Sequence, residues 1–300
     1  MRILIFGAGA LGSLVGALLS KRNEVHLLVR PGHAQAIREA GLKIEGAVTE
    51  TFALETHIDL ENVPQPDIIF VTVKAYNTKA ALDALERLAD NARIVASLQN
   101  GLTNLRLFQT SLPDKAVMGV TSMGATLIRP GRVLYAGKGD TTFGHLANDP
   151  ELSKEAADLF NQVGLNARAD ANIESELWMK GIISASINPL TAILGCQNGQ
   201  LLEDEFALGV SHLACSEANE VANEIGVQLP PGDPFMKVKD VMRATSQNRS
   251  SMLQDLEHGK RTEIDEINGE IIRRATAIGI PVPVNQTLRA LVKCLERRTV

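Results

Sequence analysis

The chain opens with Arg2-Ile3-Leu4-Ile5-Phe6, followed at once by Gly7-Ala8-Gly9-Ala10-Leu11-Gly12, and few features restrict a fold more. The short apolar run suits a buried parallel strand. The glycine spacing then predicts a tight turn into a helix, read over Leu11–Ser20. The first glycine permits the turn, the second lets a ligand approach the backbone, and the third lets helix and strand pack closely. A second strand, Glu24–Val29, completes a unit of βαβ length. The opening N–H groups of such a helix lack intrahelical partners and carry partial positive charge. Gly7, Ala8, Gly9, Ala10, Leu11 and Gly12 therefore read as the seat of a dinucleotide pyrophosphate. A glycine turn that binds nothing is the plain alternative, and it does not require the flanking strand, helix and second strand.

Selectivity in this arrangement is read at the end of the second strand, where Asp or Glu would bond a ribose 2′-hydroxyl. Here the strand ends in Val29-Arg30-Pro31. A guanidinium pairs well with phosphate. Arg30 thus points to a 2′-phosphate, and NADP (as NADPH) is the expected cofactor. A solvated surface arginine is the alternative.

Further strands are predicted at Asp67–Val73 and Arg93–Leu98, with a helix around Asn77–Ala89 between them. Strands alternating with helices imply a parallel sheet covered on both faces. Leu42–Leu54 reads as a short hairpin. Val117–Gly124, Arg132–Ala136 and Asp140–Gly144 read as antiparallel strands at one edge. From about Ala171 the pattern is helical: near Ile173–Ile187, Asp204–Ile225, Pro234–Ala244, Ser250–Leu256, Glu263–Ile278 and Val284–Leu295. The expected class is α/β, with an N-terminal Rossmann-like parallel-sheet domain and a C-terminal all-α domain. The boundary is expected near Ala167–Ala171, giving a cofactor domain over 1–168 and a helical substrate domain over 169–300.

Composition excludes other classes. At 300 residues the chain can bury a large core without staples. Its net charge of −5 argues against a general nucleic-acid partner. Cys196, Cys215 and Cys294 are few, odd in number and without a CxxC, which fits a reducing, cytoplasmic compartment. The apolar start resembles a secretory signal, but Gly7, Gly9, Gly12 and Gly16 interrupt it. No apolar stretch is read as reaching the ~20 residues of a membrane helix. His26, His33, His57, His145, His212 and His258 are scattered without HxxxH or HExxH spacing, so no metal is expected.

In open parallel sheets ligands bind beyond the C-terminal strand ends. Lys74 follows one such strand and Gln99-Asn100-Gly101 another. Lys74 could neutralise charge there, and Asn100 could bond cofactor or substrate; an exposed lysine and an ordinary Asn-Gly turn are the alternatives. In the helical half, Lys180, Ser184 and Asn188 recur every four residues in a mostly apolar segment. They share one helix face until Pro189, which is expected to end the regular helix. A lysine in such a segment is costly unless paired, working, or snorkelling to solvent. An ammonium group can bond a ketone oxygen, stabilise developing alkoxide charge and deliver the proton while a nicotinamide supplies hydride. Lys180 is the candidate general acid, with Glu263 as its orienting partner. The bland reading of Glu263 places it in the first turn of a helix capped by Thr262. Asn248–Asp255 offers amides and hydroxyls at a helix start, where simple capping by Asn248 or Ser250 competes with ligand binding.

Taken together, GAGALG at Gly7–Gly12, Lys74-Ala75, Gln99-Asn100-Gly101, Lys180 with Asn188-Pro189-Leu190, Asn198-Gly199, and Asn248–Asp255 continued by Lys260–Asn268 resemble the ketopantoate reductase family. The match runs nearly full length and in order. The resemblance implies NADPH reduction of 2-dehydropantoate, a small 2-oxo acid, to (R)-pantoate; a monomer or homodimer is expected. It implies that Lys180 is the proton donor and that Asn100, Ser184, Asn188, Asn198, Asn248 and Ser251 bind substrate. It places Lys74, Ala125, Glu263 and, again, Asn100 at the cofactor. One departure stands out: the family commonly has Asn where this chain has Ser184, a shorter donor. Reduction of another branched 2-oxo acid on the same fold is the alternative.

Overall fold

In a computed structural model of the chain, residues 1–147 and 149–298 are described. They form two compact units. One comprises Met1–Gln99 and Asn104–Ile173; the other comprises Asn100–Thr103 and the chain from Glu174 onward.

The first unit is built on β1 (Arg2–Phe6), β2 (Glu24–Leu28), β5 (Glu55–His57), β6 (Ile68–Val71), β7 (Ile94–Ser97), β8 (Ala116–Thr121), β11 (Thr141–His145) and β12 (Ala167–Ala169). The sheet order is β12-β11-β8-β7-β6-β1-β2-β5. From β5 to β8 every pairing is parallel. β11 returns antiparallel to β8, with Phe143 opposite Gly119. Ile68–Val71 and Ile94–Ser97 are buried at every residue, as expected of strands covered on both faces. Phe70, Phe143 and Phe160 form an aromatic cluster with centroids 4.9–6.4 Å apart, in the tilted and edge-on geometries rings prefer.

The helices here are α1 (Ala10–Leu19), α2 (Pro31–Ala40), α3 (Thr78–Ala89), α4 (Thr103–Ser111) and α5 (Pro150–Asn161). α1 is buried along most of its length, which a sequence apolar or small on every face allows; its one hydroxyl, Ser13, is hydrogen-bonded. α3 buries Ala81, Leu82, Leu85, Leu88 and Ala89 on one face. Asp149 caps α5, accepting from Glu151 and Leu152 N–H at 2.9 and 3.3 Å.

The expected hairpin is β3 (Leu42–Gly46) paired antiparallel with β4 (Glu50–Phe52). The expectation that all later strands join one edge of the main sheet needs correction. β9 (Gly124–Arg129) and β10 (Arg132–Gly137) leave it, and β10 runs parallel to β3. The result is a separate sheet in the order β4-β3-β10-β9. Alternation of apolar residues identifies a strand but not its partner.

The second unit carries α6 (Ile173–Leu194), α7 (Glu205–Glu224), α8 (Pro234–Ala244), α9 (Ser251–Glu257), α10 (Asn268–Ile278) and α11 (Pro283–Glu296). α6 was expected to stop before Pro189 and instead continues to Leu194. Proline removes the N–H that would serve the carbonyl four residues back, here that of Ala185. The buried Asn268 donates to that carbonyl instead, at 3.2 Å. The continuation also makes α6 long and apolar enough to cross a membrane by length and composition, contrary to the sequence reading, yet 67% of its most apolar window is buried. That burial is characteristic of a core helix.

Candidate active site

In the first unit, Gly7 has φ +88°, and a Cβ there would lie 2.1 Å from Val73. Gly7 and Ala8 N–H donate to Leu28 O at 3.1 and 2.9 Å, anchoring the turn to the end of β2. Gly12 fits only without a side chain, because a Cβ would sit 2.3 Å from the Thr72 hydroxyl. Gly9 differs: it is exposed, and a Cβ would meet only Gly7 O, at 3.9 Å. The middle of the turn is therefore open to a ligand, as a pyrophosphate seat requires. Gly9 is the N-cap of α1, with no side-chain cap and no acid in the first turn. Ala10 and Leu11 open that helix, half-buried.

Arg30 is exposed and is the N-cap of α2, which begins at Pro31. Sequence reading missed this helix, although Pro31 sits at the first helical position that proline favours. Lys74 is half-buried just past β6, at the start of a 3-10 turn over Ala75–Asn77. Ala125 is half-buried on β9, opposite Tyr135. A surface groove lined by Arg2, Lys21, Glu24 and Asp67 lies at the N-terminal ends of β1 and β2, the wrong end of a parallel sheet for a ligand.

The second unit gathers Asn100, Lys180 and Glu263. Gly101 has φ +89°, and a Cβ there would lie 2.9 Å from Glu266 O. Leu102 N–H donates to the same oxygen at 3.1 Å. Gly181, next to Lys180, gives room to Leu102, which approaches a Cβ position there at 2.9 Å. These two glycines bring the Asn100 segment against both α6 and the Glu263–Glu266 turn. Asn100 Nδ2 donates to Glu263 Oε2 at 3.4 Å. The Glu263 carboxylate also acts on Lys180.

Glu263 is buried, and it precedes α10 by five residues rather than opening it. Thr262 Oγ1 accepts from Ile264 N–H at 3.2 Å, but the residues that follow form a turn before α10 begins, and the Thr262 N–H and hydroxyl donate to Glu296 of α11 at 2.8 and 2.7 Å. Asp265 is clamped by Arg289 and Lys293 of the same helix, at 2.7 and 3.1 Å. α11 thus braces the turn that carries Glu263, a role no local motif signals.

Lys180, on α6, keeps only partial exposure. Burial lowers its pKa to about 8, the negative charge of Glu263 opposing that fall. Burial disfavours the charged amine, and a nearby carboxylate favours it. Ser184 and Asn188 are half-buried like Lys180, whereas Gly181, Ile182, Ala185, Ser186 and Ile187 are buried. The stripe is therefore the open face of a core helix.

Past Asn188, the Thr191 hydroxyl donates to Ser250 Oγ at 2.7 Å. Ser250, not Asn248, caps α9, accepting from Leu253 N–H at 3.1 Å. Asn248 and Ser251 are exposed on either side of it. Asn198 N–H donates to Asn248 O at 3.0 Å, so these two asparagines are also brought together. The Asn198 side chain is buried and donates to Thr245 Oγ1 at 2.9 Å. Thr245 spends its own proton on Val241 O at 2.6 Å and can only accept from Asn198. The amide orientation is thereby set, and Asn198 Oδ1 is a buried acceptor with no partner among the described residues. Sequence reading missed Thr245, Asn268 and Glu296, whose parts depend on distant contacts.

The family model described as "Ketopantoate reductase PanE/ApbA" matches residues 3–148, and its C-terminal counterpart matches residues 172–296. The chain is 37% identical over 298 residues to a 2-dehydropantoate 2-reductase of Archaeoglobus fulgidus, covering 98% of both chains. It is 36% identical to that of Pyrococcus horikoshii, covering 99% of this chain and 98% of the other. Among solved structures it resembles a ketopantoate reductase from Ralstonia eutropha, with TM-score 0.92 and 32% identity over 100% and 99% of the two chains. It also resembles D-mandelate dehydrogenase in complex with NADH and anilino(oxo)acetate, with TM-score 0.94 and 27% identity over 100% and 99%. By sequence and by fold, the chain belongs to the ketopantoate reductase family.

Proposed function

We propose that this chain reduces the ketone of 2-dehydropantoate with NADPH, yielding (R)-pantoate for pantothenate and coenzyme A synthesis. The observation that carries the reading is Lys180, a depressed-pKa amine on the open face of a buried helix, coupled to Glu263. Full-length similarity to curated 2-dehydropantoate 2-reductases supports the substrate.

The residues fit the cofactor. Gly7, Ala8, Gly9, Ala10, Leu11 and Gly12 would seat its pyrophosphate, Gly9 supplying the open approach. Arg30, exposed beyond β2 with no acid beside it in the turn, would hold the 2′-phosphate. Lys74, Ala125, Asn100 and Glu263 would complete the contacts, over a cofactor domain taken as 1–168. Bound NADPH supplies the hydride to the ketone carbon. The Lys180 ammonium hydrogen-bonds the ketone oxygen, stabilises the charge growing there and gives it a proton. Glu263 keeps that amine protonated and aimed.

Within the helical domain, taken as 169–300, Asn100, Ser184, Asn188, Asn198, Asn248 and Ser251 bind the substrate. The unpartnered Asn198 Oδ1 suits the C4 hydroxyl, the group that separates 2-dehydropantoate from plain branched 2-oxo acids. An acceptor buried for a hydroxyl penalises analogues that lack it. Ser184 favours one second reading, a reductase of another branched 2-oxo acid, because a hydroxyl reaches less far than the amide usual there. The protein works in the cytoplasm as a monomer or homodimer, without nucleic-acid or membrane partners. NADPH oxidation with 2-dehydropantoate, pyruvate and 2-oxoisovalerate tests the assignment. The hydroxylated substrate should lead by at least about 10²-fold in kcat/KM; preference for 2-oxoisovalerate would establish the second reading instead.

A further inference from the structure

We propose that His33 is a positioning residue for the cofactor's phosphates, its neutral ring linking the glycine turn to the helix that starts at Arg30. The inference rests on the NADPH reading above and adds to it a residue that is not among the expected contacts.

His33 lies in the first turn of α2, three residues after Arg30, and its N–H donates to Arg30 O at 3.0 Å. The ring is buried. Its Nδ1 accepts from Gly131 N–H, in the turn between β9 and β10, at 2.9 Å. A backbone amide can only donate, so Nδ1 carries the lone pair and the ring proton sits on Nε2. Nε2 faces Ser13 Oγ at 3.0 Å. The Ser13 hydroxyl accepts there and donates to Ala8 O at 3.1 Å. Ala8 stands between Gly7 and Gly9 in the phosphate turn.

The hydrogen bonds therefore run in one direction: Gly131 N–H to His33, His33 to Ser13, Ser13 to the Ala8 carbonyl. Each proton has one place. A second ring proton would oppose Gly131 N–H and add charge at the N-terminal end of α2, where cations are disfavoured. Burial depresses the imidazole pKa in the same sense. The hairpin turn is pressed against α2 as well, since a Cβ on Gly131 would lie 3.1 Å from Ala36. The ring thus holds Arg30, the glycine turn and the β9–β10 hairpin bearing Ala125 in one register. That register sets the spacing between the 2′-phosphate and pyrophosphate sites.

The test separates the two ring nitrogens. His33→Asn keeps an acceptor near Nδ1 and loses the donor to Ser13; His33→Gln keeps a donor near Nε2; Ser13→Ala removes the relay. NADPH dissociation constants are measured by nucleotide fluorescence, alongside thermal midpoints, KM and kcat. His33→Asn and Ser13→Ala should weaken NADPH binding roughly tenfold, as expected for one lost hydrogen bond to a positioned group, with the loss in KM for NADPH rather than in kcat. His33→Gln should restore most of the affinity. If His33→Asn fails to fold, Ser13→Ala carries the same comparison. Equal losses in His33→Asn and His33→Gln, or no loss in Ser13→Ala, would overturn the positioning role. Failure of the unmodified protein to bind NADPH would instead overturn the functional reading, and this inference with it.

Discussion

Asn268 donates its side-chain amide to the Ala185 carbonyl at 3.2 Å, the acceptor that Pro189 leaves without its helical partner. One buried amide thereby lets α6 continue as a single helix past the Lys180–Asn188 stripe. Asn268 also donates to Asn285 at 3.0 Å, and Asn285 donates to Glu217 at 2.8 Å, so α6, α7, α10 and α11 are tied through one polar chain. Replacing Asn268 by Ala should cost about 1–3 kcal/mol, the usual penalty for stranding buried polar groups. Pro189→Ala should recover part of that loss, because residue 189 then has an N–H for Ala185. Denaturant unfolding of both single variants and the double variant checks the coupling; strict additivity would contradict it.

The pH dependence of turnover follows from Lys180, whose pKa is lowered to about 8. The amine must be protonated to act as an acid in ketone reduction. kcat/KM should therefore be level below that pH and fall about tenfold per unit above it. Glu263→Gln removes the charge that favours the ammonium form, so the falling limb should move to lower pH. A profile unmoved by Glu263→Gln would separate the two residues.

Much of the first unit was legible because its punctuation is local. The glycines at 7 and 12 are required by sterics while that at 9 leaves the turn open, and the apolar runs Ile68–Val71 and Ile94–Ala96 are continuous. α2 was missed although Pro31 can open a helix as readily as break a strand. α5 was missed although Asp149, Pro150 and Glu151 supply an N-cap, a first-position proline and a first-turn acid. β10 was seen as a strand but sent to the wrong sheet, since partner choice is a long-range property, and its neighbour β9 was not seen. In the second unit the Lys180 stripe was visible as a four-residue spacing. The continuation of α6 past Pro189 and the bracing of the Glu263 turn were not, because Asn268 reaches Ala185 from 83 residues away and Glu296 reaches Thr262 from 34.

Cofactor preference should depend on Arg30. Arg30→Asp replaces a phosphate partner with an acid that repels the 2′-phosphate and can bond a 2′-hydroxyl. The ratio of kcat/KM for NADPH over NADH should fall by about 10- to 100-fold, a loss of roughly the size expected for a charge-assisted contact. An unchanged ratio would remove Arg30 from the phosphate site.

Substrate discrimination should depend on Asn198. The protein should prefer 2-dehydropantoate over 3,3-dimethyl-2-oxobutanoate, which has the same skeleton without the hydroxyl. Asn198→Ala removes the buried acceptor, so the preference should shrink to within about tenfold, chiefly by loss of the hydroxylated substrate. Retention of the full preference would assign the hydroxyl to another residue.

The most direct test of the account is single-turnover hydride transfer by Lys180→Ala, followed as loss of nicotinamide absorbance with saturating NADPH and 2-dehydropantoate. The account predicts a fall of about 10²–10⁴-fold, the usual worth of a positioned general acid, with NADPH affinity nearly unchanged. Turnover within a few fold of the unmodified protein, at full cofactor occupancy, would contradict it.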